Sequence, residues 1–320
     1  MKHPLLIVSA VILGAALVFA QDARVAQQVA PDEVVPASEE TTIRVQVSRV
    51  PLLFTVTDKK NRFITNLEKE DFEVYDNGEK QEIRQFVRES DLPLRIGIVM
   101  DTSNSVRDRF RFEQEAAIEF IRGVLAVQKD RAFLVSYDTR AELMVDFTAD
   151  PEELAVGVRG MRPGGGTALY DAIYYACRDK LPEDRPLEQF RRALVVIGDG
   201  EDNQSSVTRD MALEMAHKAE VVVYTISTNR SGQRQDGDKV LKYLAEETGG
   251  ISFFPFQARD LEQSFADIAN ELRHQYFIIY SPTNFDLDGS FHKIKLKSNV
   301  KNAEVRVRSG YYAPLPEDPR

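Results

Sequence analysis

The sequence predicts an α/β protein: a doubly wound, mostly parallel sheet with a flanking β-sandwich built from N- and C-terminal segments. Three observations point there. Between residues 93 and 281, apolar runs of strand length alternate with amphipathic helical stretches, the pattern of a parallel sheet with helices on both faces. Residues 42–92 and 282–313 instead alternate polar and apolar side chains and carry turn signals, the pattern of antiparallel strands with one wet face. Neither β segment is large enough to stand comfortably alone.

The elements follow in order. Residues 1–20 open with Lys2, continue through an apolar run from Leu5 to Phe19 and end in Val18-Phe19-Ala20. This reads as a secretory signal peptide cleaved after Ala20, with an uncleaved membrane anchor as the alternative, so the mature chain is expected in the periplasm or outside the cell, with no membrane span. Residues 21–41 mix Gln, Pro, Ala and acids without a period, as a disordered spacer does. TIRVQVS and PLLFTVTD are strand-like, and FEVYD and QEIRQFVRE flank Asp76-Asn77-Gly78, a strong hairpin signal.

LRIGIVM is a continuous apolar strand, and RFEQEAAIEFIRGVL is an amphipathic helix. FLVSYDT and ELMVDFT are separated by little more than a turn, which predicts an antiparallel hairpin. DPEELAVGVRGM begins with an Asp cap and a Pro in its first turn. The helix ALYDAIYYACRDKL, the strand ALVVIGD and the helix SSVTRDMALEMAHKAE come next. VVVYTIST, DKVLKYLAEETGG, ISFFPF and ARDLEQSFADIANELRHQ continue the alternation, and YFIIYS is expected to be the last strand of the α/β sheet. FHKIKLK and EVRVRS then return to β alternation, and residues 314–320 form a tail. The simplest arrangement inserts the α/β domain, 93–281, into one sandwich made of 42–92 and 282–313, entered and left by neighbouring strands. Two separate β appendages are the alternative.

Composition narrows the function. The formal net charge of −10 argues against a nucleic-acid surface, which needs a basic patch. The single cysteine, Cys177, sits in a helical apolar pattern and can form no internal disulfide. Its expected role is small, buried and apolar.

The loops that end the strands carry the chemistry. LRIGIVM runs straight into DTSNS, placing oxygens at Asp101, Ser103 and Ser105. RPGGGTALYD adds Thr167, and IGDGEDN adds Asp199. In a doubly wound sheet, ligands bind at the carboxyl ends of the strands. Two carboxylates and three hydroxyls suit Mg²⁺ or Mn²⁺, with Ca²⁺ also admissible. An open coordination position could then accept a carboxylate from another molecule, which is a binding mechanism rather than a reaction.

Residues 93–281 resemble the von Willebrand factor type A domain. DTSNS matches its D-x-S-x-S motif, the Thr of GGGTALYDAI its loop threonine, and the Asp of IGDG its second aspartate. The resemblance implies a metal-ion-dependent adhesion site with direct coordination by Ser103, Ser105 and Thr167, and with Asp101 and Asp199 acting directly or through water. With its flanking β segments, the whole chain looks like bacterial exported proteins of that group. Asn104 stands where the family commonly has Gly. Gly198 stands where it commonly has a hydroxyl residue, which removes one possible supporting hydrogen bond.

Other readings are weaker. DTSNS could serve only as a helix cap. GGGT lacks the Lys of a phosphate-binding loop. Glu201 and Asp202 read as a solvated acidic rim. A magnesium-dependent hydrolase or phosphatase would want a second carboxylate two residues after the first, and Ser103 stands there. No G-x-S-x-G occurs, and His217, His274 and His292 have no zinc-like spacing; they read as surface or packing residues. The reading is therefore an exported, non-enzymatic, metal-dependent protein-binding module, with no catalytic residue. A structural assembly scaffold with a permanently bound ion remains the other class.

Overall fold

The pairing of strands far apart in sequence decides the architecture. In the computed structural model, residues 49–88, 92–125, 129–184, 189–229, 233–255 and 257–315 are described. The expected signal peptide, the spacer and the stretch 42–48 lie outside them. Val50–Thr57 (β1), Phe72–Asp76 (β2), Glu79–Gln81 (β3) and Ile83–Val87 (β4) precede the α/β part. The β2–β3 connection is Asn77-Gly78, both at positive φ (48° and 88°), as a tight hairpin turn with this dipeptide requires.

The α/β part opens with Leu94–Asp101 (β5), Phe110–Val124 (α1), Arg131–Tyr137 (β6), Ala141–Thr148 (β7), Pro151–Gly160 (α2) and Leu169–Tyr175 (α3). A π-helical turn, Ala176–Lys180, extends α3. Arg191–Gly198 (β8), Arg209–Lys218 (α4), Val221–Ser227 (β9), Asp236–Thr248 (α5), Ser252–Phe253 (β10) and Ala258–Arg273 (α6) complete it. The sheet order is β10-β9-β8-β5-β6-β7, and only β7 runs antiparallel.

β5 and β8 are buried at every position, which explains why their sequences are apolar without alternation. Helices α1, α2 and α6 cover one face and α3, α4 and α5 the other. Local signals set the helix ends. The Asp150 side chain accepts from the Glu152 amide before α2, and Gly249 closes α5 in the left-handed region. Cys177 is buried and its thiol is pushed far up by burial, in keeping with an apolar packing role.

Tyr276–Tyr280 (β11) corrects the sequence reading. It is not the last strand of the parallel sheet; it pairs antiparallel with β1 and β4. The α/β part therefore ends near residue 275 rather than 281. The reason is double coverage. Tyr276, Ile278 and Tyr280 face the sandwich core, whereas Phe277 lies with Phe190 and Val221 at the base of the α/β part. A strand covered on both faces loses its alternation whichever sheet holds it.

Phe291–Ser298 (β12), Glu304–Val307 (β13) and Gly310–Tyr312 (β14) follow. Sequence alternation indicates only the first two. The sandwich sheets are β13-β1-β11-β4 and β14-β12-β2-β3, so each contains strands from both ends of the chain. Their facing residues form one core, including Leu52, Phe54, Val74, Ile278 and Leu296. The chain leaves the sandwich by β4 and returns by β11, its neighbour in the sheet.

A buried polar cluster ties these sheets together. Asp76 Oδ2 accepts from the hydroxyls of Tyr280 (2.8 Å) and Tyr311 (2.9 Å), and Oδ1 lies 2.9 Å from His292 Nδ1. Asp76 and His292 are both buried. The carboxylate can only accept, so His292 Nδ1 donates to it. Asp76→Ala would leave three buried donors without their acceptor. The expected loss is about 3–5 kcal/mol in urea unfolding, with a smaller loss for Asp76→Asn.

A second buried histidine marks the contact between the two parts. His217 at the end of α4 packs its ring 5.5 Å from that of Phe291, and its Nδ1 has no partner. Burial, and then the charge of Arg308, push its pKa down to about 4. Above pH 6.5 the ring is neutral whether the chain is folded or unfolded. Below that value only the unfolded chain takes up a proton, so stability falls progressively between about pH 6.5 and 4, by roughly 3 kcal/mol at most. Urea melts across this window should show a shallower slope for His217→Gln.

Candidate metal centre

The site forms where the parallel sheet changes direction. From β5 the chain continues to β6 on one side, while β8 lies on the other. The loops at the carboxyl ends of β5 and β8 therefore flank a switch point, where doubly wound sheets hold ligands. The loop before α3 closes the third side.

Asp101 is the last residue of β5 and is 1% exposed. Its Oδ1 accepts from the Ser103 amide (2.7 Å), and its Oδ2 is buried without a hydrogen-bond partner. The Ser103 and Ser105 hydroxyls are 2.8 Å apart, and Ser105 Oγ donates to Asp199 Oδ2 at 2.7 Å. Since that bond uses the only hydroxyl proton of Ser105, Ser103 donates to Ser105. Asp199 Oδ1 accepts from the Glu201 amide (3.1 Å).

Thr167 joins through its backbone. Its amide donates to Asn203 Oδ1 (3.0 Å), and its carbonyl accepts from the Asn203 and Gln204 amides. The first loop is tied in as well: the Gly164 amide donates to the Thr102 carbonyl at 2.6 Å, and Asn104 Nδ2 to the Gly165 carbonyl at 3.1 Å. Four of the five expected donors thus form one hydrogen-bonded group; Thr167 is clamped to the loop after β8, and its neighbours Gly164 and Gly165 tie its loop to the first. The Thr167 hydroxyl is outside that group among the described residues.

Several supporting residues escape a reading by motif. Asp202 is a brace rather than a solvated rim: its Oδ2 accepts from the Tyr170 amide (3.0 Å) and the Ser205 hydroxyl (2.6 Å). Asp171 accepts from the Ser206 and Val207 amides, each at 3.0 Å. Their only sequence signal is an acid in the first turn of α3 and another just beyond Asp199. Gly198 is likewise more than a missing hydroxyl. A Cβ there would stand 2.1 Å from Tyr137 Oη and 3.1 Å from Asp101 Oδ2. Tyr137 is fully buried, and burial, reinforced by the charges of Asp101 and Asp199, holds its phenol protonated. A neutral phenol from β6, reaching across β5, therefore fills the space that a side chain at 198 would take. Arg107 lies at the rim, donating to Asn104 Oδ1 at 2.9 Å.

The electrostatics fit a cation. Burial first, with the Asp199 charge adding to it, pushes the Asp101 carboxyl up to about 7, against the opposing hydrogen bond from Ser103. A buried carboxylate oxygen without a partner, beside a second carboxylate, is costly unless positive charge approaches it. The residues that would hold a hard divalent ion are Asp101, Ser103, Ser105, Thr167 and Asp199. No group of three or more His, Cys, Asp or Glu side chains suited to a metal occurs among the described residues; this site is mostly hydroxyl.

The fold and the site define an α/β domain with an oxygen-lined loop cluster at the switch point of its sheet. The family model of the von Willebrand factor type A domain matches residues 96–201, a span that contains all five candidate donors. Within those residues the chain carries a von Willebrand factor type A domain. A solved structure titled von Willebrand factor type A from Catenulispora acidiphila is similar at 12% identity and a TM-score of 0.50, over 85% of this chain and 75% of that one. That likeness shows the fold. The PilB minor pilin from Streptococcus sanguinis aligns at 14% identity and a TM-score of 0.46, over 58% of this chain. The present chain spans 62% of that pilin. The von Willebrand domain of the type V pili tip protein Mfa5 from Porphyromonas gingivalis aligns at 15% identity and a TM-score of 0.45, over 56% of this chain and 94% of that one. No curated protein matches the sequence. No helix among the described residues is long and apolar enough to cross a membrane.

The close approach at Gly198 is testable. Gly198→Ala is expected to displace the Tyr137 hydroxyl and destabilise the fold by about 1–3 kcal/mol. In a Tyr137→Phe background that cost should fall by at least half. A double-mutant cycle in denaturant measures the coupling.

Proposed function

We propose that the protein is an exported binding module that captures a carboxylate of a partner protein through a divalent ion. The observation that carries this reading is the buried, partnerless Oδ2 of Asp101 within the group of Ser103, Ser105 and Asp199 oxygens. Mg²⁺ or Mn²⁺ suits two carboxylates and three hydroxyls, and Ca²⁺ is admissible if the loops supply further oxygens. Only two negative charges face the ion, so it keeps an electrophilic position for an Asp or Glu from outside. The signal-like residues 1–20 support export to the periplasm or the cell exterior.

No described histidine is placed to act at the candidate site. Of the described histidines, His217 packs at the junction of the two parts and His292 in the sandwich core. His274 stacks on Phe63. None stands beside Asp101 to serve as a general base.

Calorimetric titration of the purified chain with Mg²⁺ and Mn²⁺ tests the proposal. Saturable binding is expected for the wild type and should be lost in Asp101→Ala and Asp199→Ala. Thr167→Ala should weaken it by roughly tenfold or more, the effect of losing about 1.4 kcal/mol. Acetate or a short Asp-containing peptide should then bind only when the metal is present. Absence of binding of either ion to the wild type would overturn the reading.

A further inference from the structure

A second cleft, apart from the metal centre, lies between the α/β part and the sandwich. Its volume is about 360 Å³, within the range of small-molecule sites. One side is the edge strand β10 with α5 and α6. The other is the end of β1, the turn after it and β13. Phe63, Phe253 and Phe254 line it with partly buried rings, and the Arg234 guanidinium lies 4.5 Å above the Phe254 ring.

The base of the cleft is polar. Glu271 is 1% exposed and fully engaged: Oε1 accepts from the Thr55 hydroxyl (3.2 Å) and Oε2 from Arg306 Nη2 (2.8 Å). Two donors beside it are not engaged. Thr57 Oγ1, on a residue 1% exposed, and Arg306 Nε are both buried without a hydrogen-bond partner. Both residues line the cleft. A guanidinium nitrogen can only donate, and a hydroxyl can donate alongside it. Two unpartnered donors in one lining call for an acceptor; Arg306 is paired with Glu271, so the charge that favours an anionic acceptor comes from Arg234 and Lys242 at the same cleft, set against Glu246 and Asp267. The aromatic wall calls for a flat apolar body.

We propose that this cleft binds a small carboxylic acid with a flat apolar body, its carboxylate on Arg306 Nε and Thr57 Oγ1 and its body against Phe253 and Phe254. A free aromatic acid and the carboxy-terminal aromatic residue of a peptide share this chemistry. The site is independent of the metal centre.

The chain contains no tryptophan, so indole fluorescence reports the probe alone. The purified chain is titrated, with EDTA present to remove any cation that could capture the same carboxylate. The probes are indole-3-acetate, indole, and N-acetyl-Gly-Trp with a free carboxy terminus. Saturable binding of indole-3-acetate or of the peptide is expected, and indole should bind at least tenfold more weakly. The tighter of the two acids identifies the source. Thr57→Val should weaken the acid about tenfold without lowering the thermal midpoint, because it removes a partnerless buried hydroxyl. Arg306→Lys, which keeps a cation for Glu271 but loses Nε, should weaken it similarly. Failure of both acids to bind would mean that the cleft holds only water, and equal affinity in Thr57→Val would mean that the acid binds without the assigned donors; either result would overturn the proposal.

Discussion

A carboxylate withdrawn from water at the end of β5 governs the whole candidate site. β5 is hydrogen-bonded to parallel strands on both sides, so Asp101 cannot swing outward to recover solvent. Its desolvation is therefore met from above by the loops. They are braced to one another: Gly164 to Thr102, Asn104 to Gly165, Thr167 to Asn203. α5 packs against the same region so closely that a Cβ on Gly237 would stand 2.2 Å from the Asp199 carbonyl. The oxygens are thus preorganised by backbone contacts, and the side chains that carry charge have little freedom left to lose.

How legible this centre is in the sequence depends on the range of each interaction. Asp101, Ser103 and Ser105 are legible because three oxygens at alternate positions follow an unbroken apolar strand, more than the helix cap that could also use them would need. Thr167 and Asp199 are legible because the one ends a glycine-rich loop before a helix and the other opens a glycine-bearing loop after an apolar strand. Tyr137 is not. It matters only because β6 lies beside β5 and its hydroxyl reaches the space above Gly198, a lateral relation that no motif records. Asp171 and Asp202 are obscure for a related reason: each accepts from an amide more than 30 residues away, a relation that their own segments do not show.

The fold shows the same division. Period and capping mark the helices and the central strands because those signals are local. β11 defeats them. It is apolar throughout, like β5 and β8, but it is buried between the sandwich core and the base of the α/β part rather than between two helical layers. β14 is only three residues long, too short for a period to appear. The Asp76, His292, Tyr280 and Tyr311 cluster is assembled from four strands, and none of those residues is unusual in its own segment.

The position of β11 beside β4 has a consequence for how the chain reaches this structure. Val87 pairs with Phe277, a separation of 277 − 87 = 190 residues. Closing so long a loop adds only logarithmically to the entropy cost, but the search for such distant partners is slow. The α/β part has cores of its own and can form first, bringing the ends of its span together so that β11 meets β4. Until then β1 to β4 are strands without partner sheets, with open edges that invite association between chains. During synthesis they emerge ahead of everything that will cover them. The vulnerable interval in the life of this protein is therefore the time between the appearance of its first strands and the arrival of its last.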